Sequence, residues 1–175
     1  MFLDCEVTLD AVVINGTAFR AGERLEKYEQ LLGPPSRSWD GPQPAPYGHR
    51  NNILHYYDEA GLLLREHHAT CLISSIDIVL EPARWYFPTR FAYAGRVMVC
   101  GVSVIAEMEF RDFARQCEIE FHPHLGHAWY VDGDRISIQI EVYFPARKRK
   151  ADMGLISVIA VGFVGAHRLR DTSRA

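Results

Sequence analysis

The second half of this 175-residue chain repeats a pattern from its first half. Residues 72–80 read LISSIDIVL, and residues 155–163 read LISVIAVGF, so that the Leu-Ile-Ser start and a later isoleucine are unchanged. Each copy follows an apolar segment that ends in Asn15-Gly16 or Cys100-Gly101, then a helix-like segment and a hairpin. Tandem repeats of this kind are typical of scaffolds that present an extended binding surface, whereas catalysis needs one asymmetric constellation.

Hydrophobic periodicity predicts the elements of each copy. In the first, a strand ends at Ile14, a helix spans residues 23–32, and strands at 53–57, 62–68 and 72–80 form an antiparallel meander. In the second, a strand at 96–104 precedes a short helix at 108–116 and strands at 117–121, 135–144 and 155–163. The pattern predicts an α+β fold: two tandem strand-helix-antiparallel-meander units forming a mostly antiparallel sheet with helices on one side.

The same pattern divides the chain. We expect a first repeat unit at residues 1–82, an aromatic linker at 83–95, a second repeat unit at 96–165 and a flexible C-terminal tail at 166–175. Residues 34–52 are rich in proline and glycine, which predicts a long loop that is either disordered or used for contact.

Composition excludes several classes of function. Nineteen basic residues against 22 acidic ones, with a pI near 6.2, provide no field for a phosphate backbone, so nucleic acid is not expected as a partner. The acidic start of the chain does not resemble a signal peptide and no run approaches about 18 apolar residues, so we expect a cytoplasmic protein with no membrane contact.

The cysteines and motifs favour a protein that is not an enzyme. The four cysteines show no CxxC pairing, and Cys71 and Cys100 adjoin apolar strands, which predicts reduced and packed thiols rather than nucleophiles. No hydrolase, zinc-protease, P-loop or dinucleotide motif is present in the sequence. We therefore expect no catalytic residue and no cofactor.

The best candidate surface is the polar face of the sheet in the second unit. Alternation from residue 135 to 144 places isoleucines on one face and polar side chains on the other. Tyrosine, tryptophan and arginine supply interface hot spots, and surrounding carboxylates match a basic protein partner. The predicted partner-binding residues are Glu118, Glu120, His122, Trp129, Arg135, Gln139, Glu141 and Tyr143.

Two alternatives stay open at this point. His122, His124 and His127 supply three imidazoles within six residues, enough nitrogen donors for zinc or nickel in a small metal- or ligand-binding protein. An exposed hairpin loop is the simpler interpretation, because no cysteine or carboxylate lies nearby at a familiar metal spacing. The other alternative is a structural subunit that assembles with itself, as in a homodimer, through an exposed edge strand.

The sequence also resembles known protein families, and this resemblance implies a more specific function. The segments Leu31-Leu32-Gly33-Pro34-Pro35-Ser36-Arg37 and Tyr57-Asp58-Glu59-Ala60-Gly61-Leu62 resemble the helix-then-hairpin unit of small SmpA/OmlA-type lipoproteins. Tandem copies of a similar unit form β-lactamase inhibitor proteins, whose concave sheet grips an enzyme. The layout also resembles small bacterial immunity proteins found beside toxin genes. The resemblance implies a non-catalytic protein that neutralises a cognate toxin by occluding its active site, although this chain has no lipobox and no evident cysteine pairs.

Overall fold

The structure is a computed structural model that describes residues 3–40, 52–82, 89–124, 128–143 and 154–163. Within these ranges the chain forms thirteen strands and two helices. In chain order they are β1 (Cys5–Val7), β2 (Val12–Ile14), β3 (Thr17–Phe19), α1 (Leu25–Leu32), β4 (Arg37–Trp39), β5 (Asn52–Tyr57), β6 (Leu62–His67), β7 (Leu72–Val79), β8 (Val97–Val99), β9 (Val102–Val104), α2 (Phe110–Ala114), β10 (His122–His124), β11 (Ala128–Asp132), β12 (Ile136–Tyr143) and β13 (Leu155–Phe163).

The predicted α+β class is wrong, because the described chain is mostly β. Strands account for 48% and helices for 11% of it, and the strands form two sheets instead of one sheet covered by helices. The error has a physical origin in the short strands before each helix. Strands of three residues, such as β1, β2 and β3, are too short to show the alternation of apolar and polar residues that is typical of a strand. The sequence therefore gives no signal of a second sheet.

The first sheet has five strands in the order β3-β2-β1-β8-β9. Its two outer hairpins, β2–β3 and β8–β9, turn at Asn15-Gly16 and Cys100-Gly101, where all four residues have positive φ. Two successive residues with positive φ are the geometry that tight hairpins require. Between the hairpins β1 pairs with β8 in parallel, so the sheet joins the two halves of the chain.

The second sheet has eight strands in the order β10-β11-β12-β13-β7-β6-β5-β4, with every neighbouring pair antiparallel. It consists of two four-stranded meanders that meet where β13 pairs with β7. Asp77 lies opposite Ala160 at the centre of that pairing. Those two residues are also equivalent in the sequence repeat, since each is the sixth residue of its copy. A duplicated chain would give this arrangement, and the duplication itself remains a prediction.

The main core lies on one face of the eight-stranded sheet, which we call its inner face. A single buried cluster contains inner-face side chains such as Ile76 and Ile138, residues of the five-stranded sheet such as Val7 and Val99, and helix residues such as Phe113. The opposite, outer face carries Asp77 and Gln139. A separate buried cluster also lies on the outer face and contains Leu54, Tyr56, Leu63, Val79 and Val158.

Most of the predicted elements are present, with three exceptions. The single strand predicted at 96–104 is wrong, because the chain turns at Cys100-Gly101 and forms the hairpin of β8 and β9. Both helices are confirmed, although each is shorter than predicted. Residues 117–121 do not form the predicted strand. The strand that lies beside β12 on that side is instead β11, with β10 beyond it at the edge of the sheet. The first part of the predicted loop at 34–52 contains β4, which pairs with β5, and residues 41–51 of this loop lie outside the described residues. Residues 83–88 of the predicted linker and the whole predicted tail lie outside the described residues.

Candidate functional site

Four of the predicted binding residues share the outer face of the eight-stranded sheet. Gln139, Glu141 and Tyr143 alternate along β12, and Gln139 lies opposite Tyr130 of β11, which in turn lies opposite His122 of β10. Directly opposed residues of antiparallel strands point to the same face, so His122 joins this group. The ring centroids of His122 and Tyr130 are 6.1 Å apart.

The structure places the other four predicted residues elsewhere. Trp129 lies opposite Ile140 on the inner face and stacks on Phe110 of α2. Glu118 and Glu120 are exposed in the irregular segment after α2, and Arg135 is exposed in the turn before β12. The predicted neighbourhood of Glu118 and Glu120 with Gln139 is therefore wrong, because it depended on the strand at 117–121.

The outer face contains a polar cleft at the centre of the sheet. Its volume is about 260 Å³, and its lining includes Arg65, Ser75, Asp77, Ser137 and Gln139. A neighbouring cleft of about 300 Å³ shares Ser137 and Gln139 and extends to Asp132 on β11. The polar surface therefore runs from β6 across the meeting point of the two meanders to β11.

A buried ion pair forms the floor of this central cleft. Arg65 Nη2 donates to Asp77 Oδ2 at 2.6 Å, and the Asp77 side chain is 1% exposed. The other carboxylate oxygen, Asp77 Oδ1, is also buried and has no hydrogen-bond partner among the described residues. A buried acceptor without a partner costs about 1–3 kcal/mol of folding free energy. A hydrogen-bond donor that reached Asp77 Oδ1 would remove this cost.

Glu141 adds a second carboxyl group beside the pair. Burial, followed by the charge of Asp77, raises the pKa of Glu141 to about 7, while a hydrogen bond from Gln139 and the charge of Arg65 oppose the shift. Two carboxyl groups thus share one guanidinium. The site gains negative charge as the pH rises through neutrality, and a cation in the cleft would favour the ionised form of Glu141.

Arg65 and Asp77 were not among the predicted site residues, although the sequence contains a signal for one of them. Asp77 is a charged residue in the apolar run of β7, where the equivalent residue of β13 is Ala160. A charge in a central strand is buried on both sides and needs a partner. Arg65 carried no comparable signal, because β6 ends in polar residues that also suit an exposed strand end.

A second and more apolar cleft lies between α2 and the segment that follows it. It encloses about 420 Å³, and its lining includes Phe110, Arg111, Ile119, Phe121 and Trp129. Phe110 stacks on Trp129 with ring centroids 4.4 Å apart and meets Phe121 edge-on at 6.2 Å. Glu118 and Glu120 also line this cleft, which brings them together with Trp129.

The histidine cluster cannot be assembled from the described residues. His122 and His124 are the two ends of β10, while His127 lies outside the described residues. In the described part of the chain, no three His, Cys, Asp or Glu side chains are arranged to hold a metal ion.

The cysteines depart from the prediction at one position. Cys5 is buried, and burial raises its pKa to about 12. Burial, followed by the charge of Cys117, raises the pKa of Cys100 to about 11, so neither thiol forms an appreciable thiolate at neutral pH. Cys71 was predicted to be packed, but it is exposed in the turn between β6 and β7. The prediction failed because an apolar strand begins only after this residue.

One chain of hydrogen bonds has the residue types of a hydrolase triad. The Ser38 hydroxyl lies 2.8 Å from His55 Nδ1, and His55 Nε2 lies 2.9 Å from Glu66 Oε2. These residues belong to the adjacent strands β4, β5 and β6, and none of the three clefts described above includes them. We interpret the chain as a cross-strand link that ties the edge strand β4 to the sheet.

No helix among the described residues combines the length and the apolar character needed to cross a bilayer.

Comparison with known proteins shows which protein family the chain belongs to. No curated protein and no solved structure matches the chain at a significant level. One family model matches residues 5–114, which is more than half of the sequence. The chain therefore belongs to the family described as "Domain of unknown function (DUF7738)".

Proposed function

We propose that this protein binds a protein partner without catalysis, through the outer face of the eight-stranded sheet. The observation that carries the proposal is the central cleft, in which the buried Asp77 Oδ1 lacks a donor among the described residues. Glu141 lies beside it, and Arg65 is already engaged with the other oxygen of Asp77. The chemistry that fits is a cationic side chain, so the partner is a basic protein.

A lysine or arginine side chain of the partner would act at the centre of such an interface. Its N–H groups would satisfy Asp77 Oδ1, and its charge would favour the carboxylate form of Glu141. Interfaces depend on a few well-packed central contacts of this kind, and the surrounding polar rim adds complementarity. Around the cleft, Ser137, Gln139 and Tyr130 are half-buried and provide that rim.

The specific form of the proposal is an immunity protein that neutralises a bacterial toxin in the cytoplasm by covering its active site. This form adds the resemblance to immunity proteins and to β-lactamase inhibitor proteins to the geometry of the cleft. A basic toxin, such as a nuclease, would meet the acidic cleft with complementary charge, which steers association.

The first test is capture of the tagged chain from its native host at low and high salt, followed by mass spectrometry and metal analysis. The proposal predicts a stoichiometric basic partner that high salt releases. Expression of that partner alone should arrest growth, and co-expression of the chain should restore it. Recovery of the chain alone, or with an equimolar metal ion, would contradict the proposal.

A matched pair of variants locates the surface. Gln139→Lys places a positive charge in the rim of the cleft and should abolish both capture and growth rescue. Ser103→Lys places the same charge on β9, at an exposed position of the five-stranded sheet, and should change neither. Thermal unfolding of both variants checks that each is folded. Equal behaviour of the two folded variants would exclude the outer face as the binding surface.

A further inference from the structure

We infer that the cleft beside α2 is a binding site for a small planar aromatic carboxylate. The site is separate from the outer face, because its Trp129 and Phe110 lie on the inner side of the eight-stranded sheet. Its volume of about 420 Å³ is within the range of small-molecule pockets, which are mostly apolar with a few polar groups that orient the ligand.

The aromatic residues provide a preformed wall. Phe110 and Trp129 are stacked with an interplanar angle of 11°, and Phe121 packs edge-on against both Phe110 and Phe113. Phe110 and Phe113 are at most 2% exposed, so the wall is held by the core and cannot collapse into the cleft. A flat aromatic ligand in the cleft would pack against the half-buried Trp129, which lines it.

Two buried N–H groups in the lining indicate the polar part of the ligand. Trp129 Nε1 and Arg111 Nε are both buried, and neither has a hydrogen-bond partner among the described residues. Arg111 Nη2 donates to Glu109 at 2.9 Å, and Asp112 Oδ1 lies 4.0 Å from Arg111 Nε, too far for a hydrogen bond, so the two carboxylates hold the guanidinium in place without satisfying Nε. A buried N–H without an acceptor destabilises the protein, and an acceptor on a ligand would remove that cost.

The charge of Arg111 indicates which kind of acceptor group the ligand carries. One of the two donors belongs to a guanidinium, which binds carboxylates more strongly than neutral carbonyl groups. Glu118 and Glu120 also line the cleft, but both are exposed to solvent, which screens their repulsion of an anion. The ligand that fits the cleft is therefore an aromatic carboxylate. Its carboxylate would accept hydrogen bonds from the two N–H groups, and its ring would pack against the aromatic side chains.

The test is a titration of the ¹⁵N-labelled protein with 2-naphthoate, observed at the indole N–H resonances. Trp129→Phe assigns the Trp129 signal. We expect that signal to move downfield in a saturable manner, because the indole N–H gains an acceptor. The cationic analogue 2-naphthylmethylamine and the neutral 2-methylnaphthalene should bind at least about tenfold more weakly, since neither supplies a charged acceptor.

Variants separate the two parts of the site. Arg111→Lys keeps the charge but removes the Nε donor, and it should weaken 2-naphthoate binding about tenfold. Ala114→Leu adds a side chain to the lining and should abolish binding, whereas Gln116→Leu, on an exposed residue after α2, should not. Equal affinity for all three naphthalene probes, or no shift of the Trp129 signal up to the solubility limit, would overturn the inference.

Discussion

Ser74 and Ser157 make the same hydrogen bond in the two meanders of the eight-stranded sheet. Ser74 Oγ donates to the Arg65 carbonyl at 3.0 Å, and Ser157 Oγ donates to the Glu141 carbonyl at 3.2 Å. At each place the register between neighbouring strands shifts by one residue. The serine is thus the extra residue of a β-bulge, and its hydroxyl satisfies a carbonyl beside the break in the ladder.

We therefore predict equal effects for Ser74→Ala and Ser157→Ala. Each removes one buried hydrogen bond and should lower the free energy of unfolding by about 1 kcal/mol, measured by urea denaturation. Ser103→Ala, at an exposed position of β9, is the control and should have no measurable effect. A large loss for one serine and none for the other would show that the two bulges are not equivalent.

Glu141 should make the stability depend on pH. Its pKa of about 7 in the folded protein exceeds its ordinary value of 4.5, so the folded state binds a proton that the unfolded state has released. The free energy of unfolding should fall by about 3 kcal/mol as the pH rises from 4.5 to 7, and then level off.

The Glu141→Gln variant isolates this effect from other titrating groups. The difference in stability between wild type and variant should follow the same window, with the variant gaining relative to the wild type as the pH rises. Asp77 and Arg65 face Glu141 in both proteins, so their contributions largely cancel in the difference. Parallel pH profiles would contradict the environment described for Glu141.

Two glycines with positive φ should respond differently to alanine. A Cβ at Gly61 would lie 2.2 Å from the backbone nitrogen of Tyr93, whereas a Cβ at Gly16 would meet nothing within 4 Å. Gly16→Ala should cost about 1 kcal/mol from the strained φ alone. Gly61→Ala should cost about 3 kcal/mol or more, because the backbone of residues 92–93 must also move. Similar losses in thermal melting of the two variants would argue against this close approach.

The cysteines should differ in reactivity. Cys71 is exposed, Cys5 is 2% exposed, and burial raises the pKa of Cys5 to about 12. Under native conditions N-ethylmaleimide should modify Cys71 first and Cys5 last, as followed by mass spectrometry of peptides over time. Modification of Cys5 before Cys71 would contradict the placement of β1 in the core.

The parts of the fold that the sequence predicted are those with long periodic patterns. The strands β6, β7, β12 and β13 and the helix α1 each span six residues or more, so their periodicity is visible in the sequence. The five-stranded sheet was missed because its strands have three residues each and the parallel pairing of β1 with β8 joins residues about 90 positions apart. Nothing local in a sequence specifies such a pairing.

The residues of the candidate sites were predicted only in part, because the sequence shows local patterns and does not show contacts between distant parts of the chain. Alternation along β12 correctly placed Gln139, Glu141 and Tyr143 on one face. It could not show that Asp77 and Arg65, from the other half of the chain, complete that surface. The α2 cleft was not predicted at all, because it depends on an irregular segment whose path is set by packing against Phe110 and Trp129.

The position of β13 at the centre of its sheet has a consequence for synthesis on the ribosome. β7 is fully synthesised well before its neighbour, and until β13 follows it is the unpaired edge of a four-stranded sheet. An exposed apolar edge of this length is a template for pairing with other chains. The nascent chain therefore exposes an apolar strand edge at residues 72–79 from the time β7 leaves the exit tunnel until residues 155–163 arrive to pair with it.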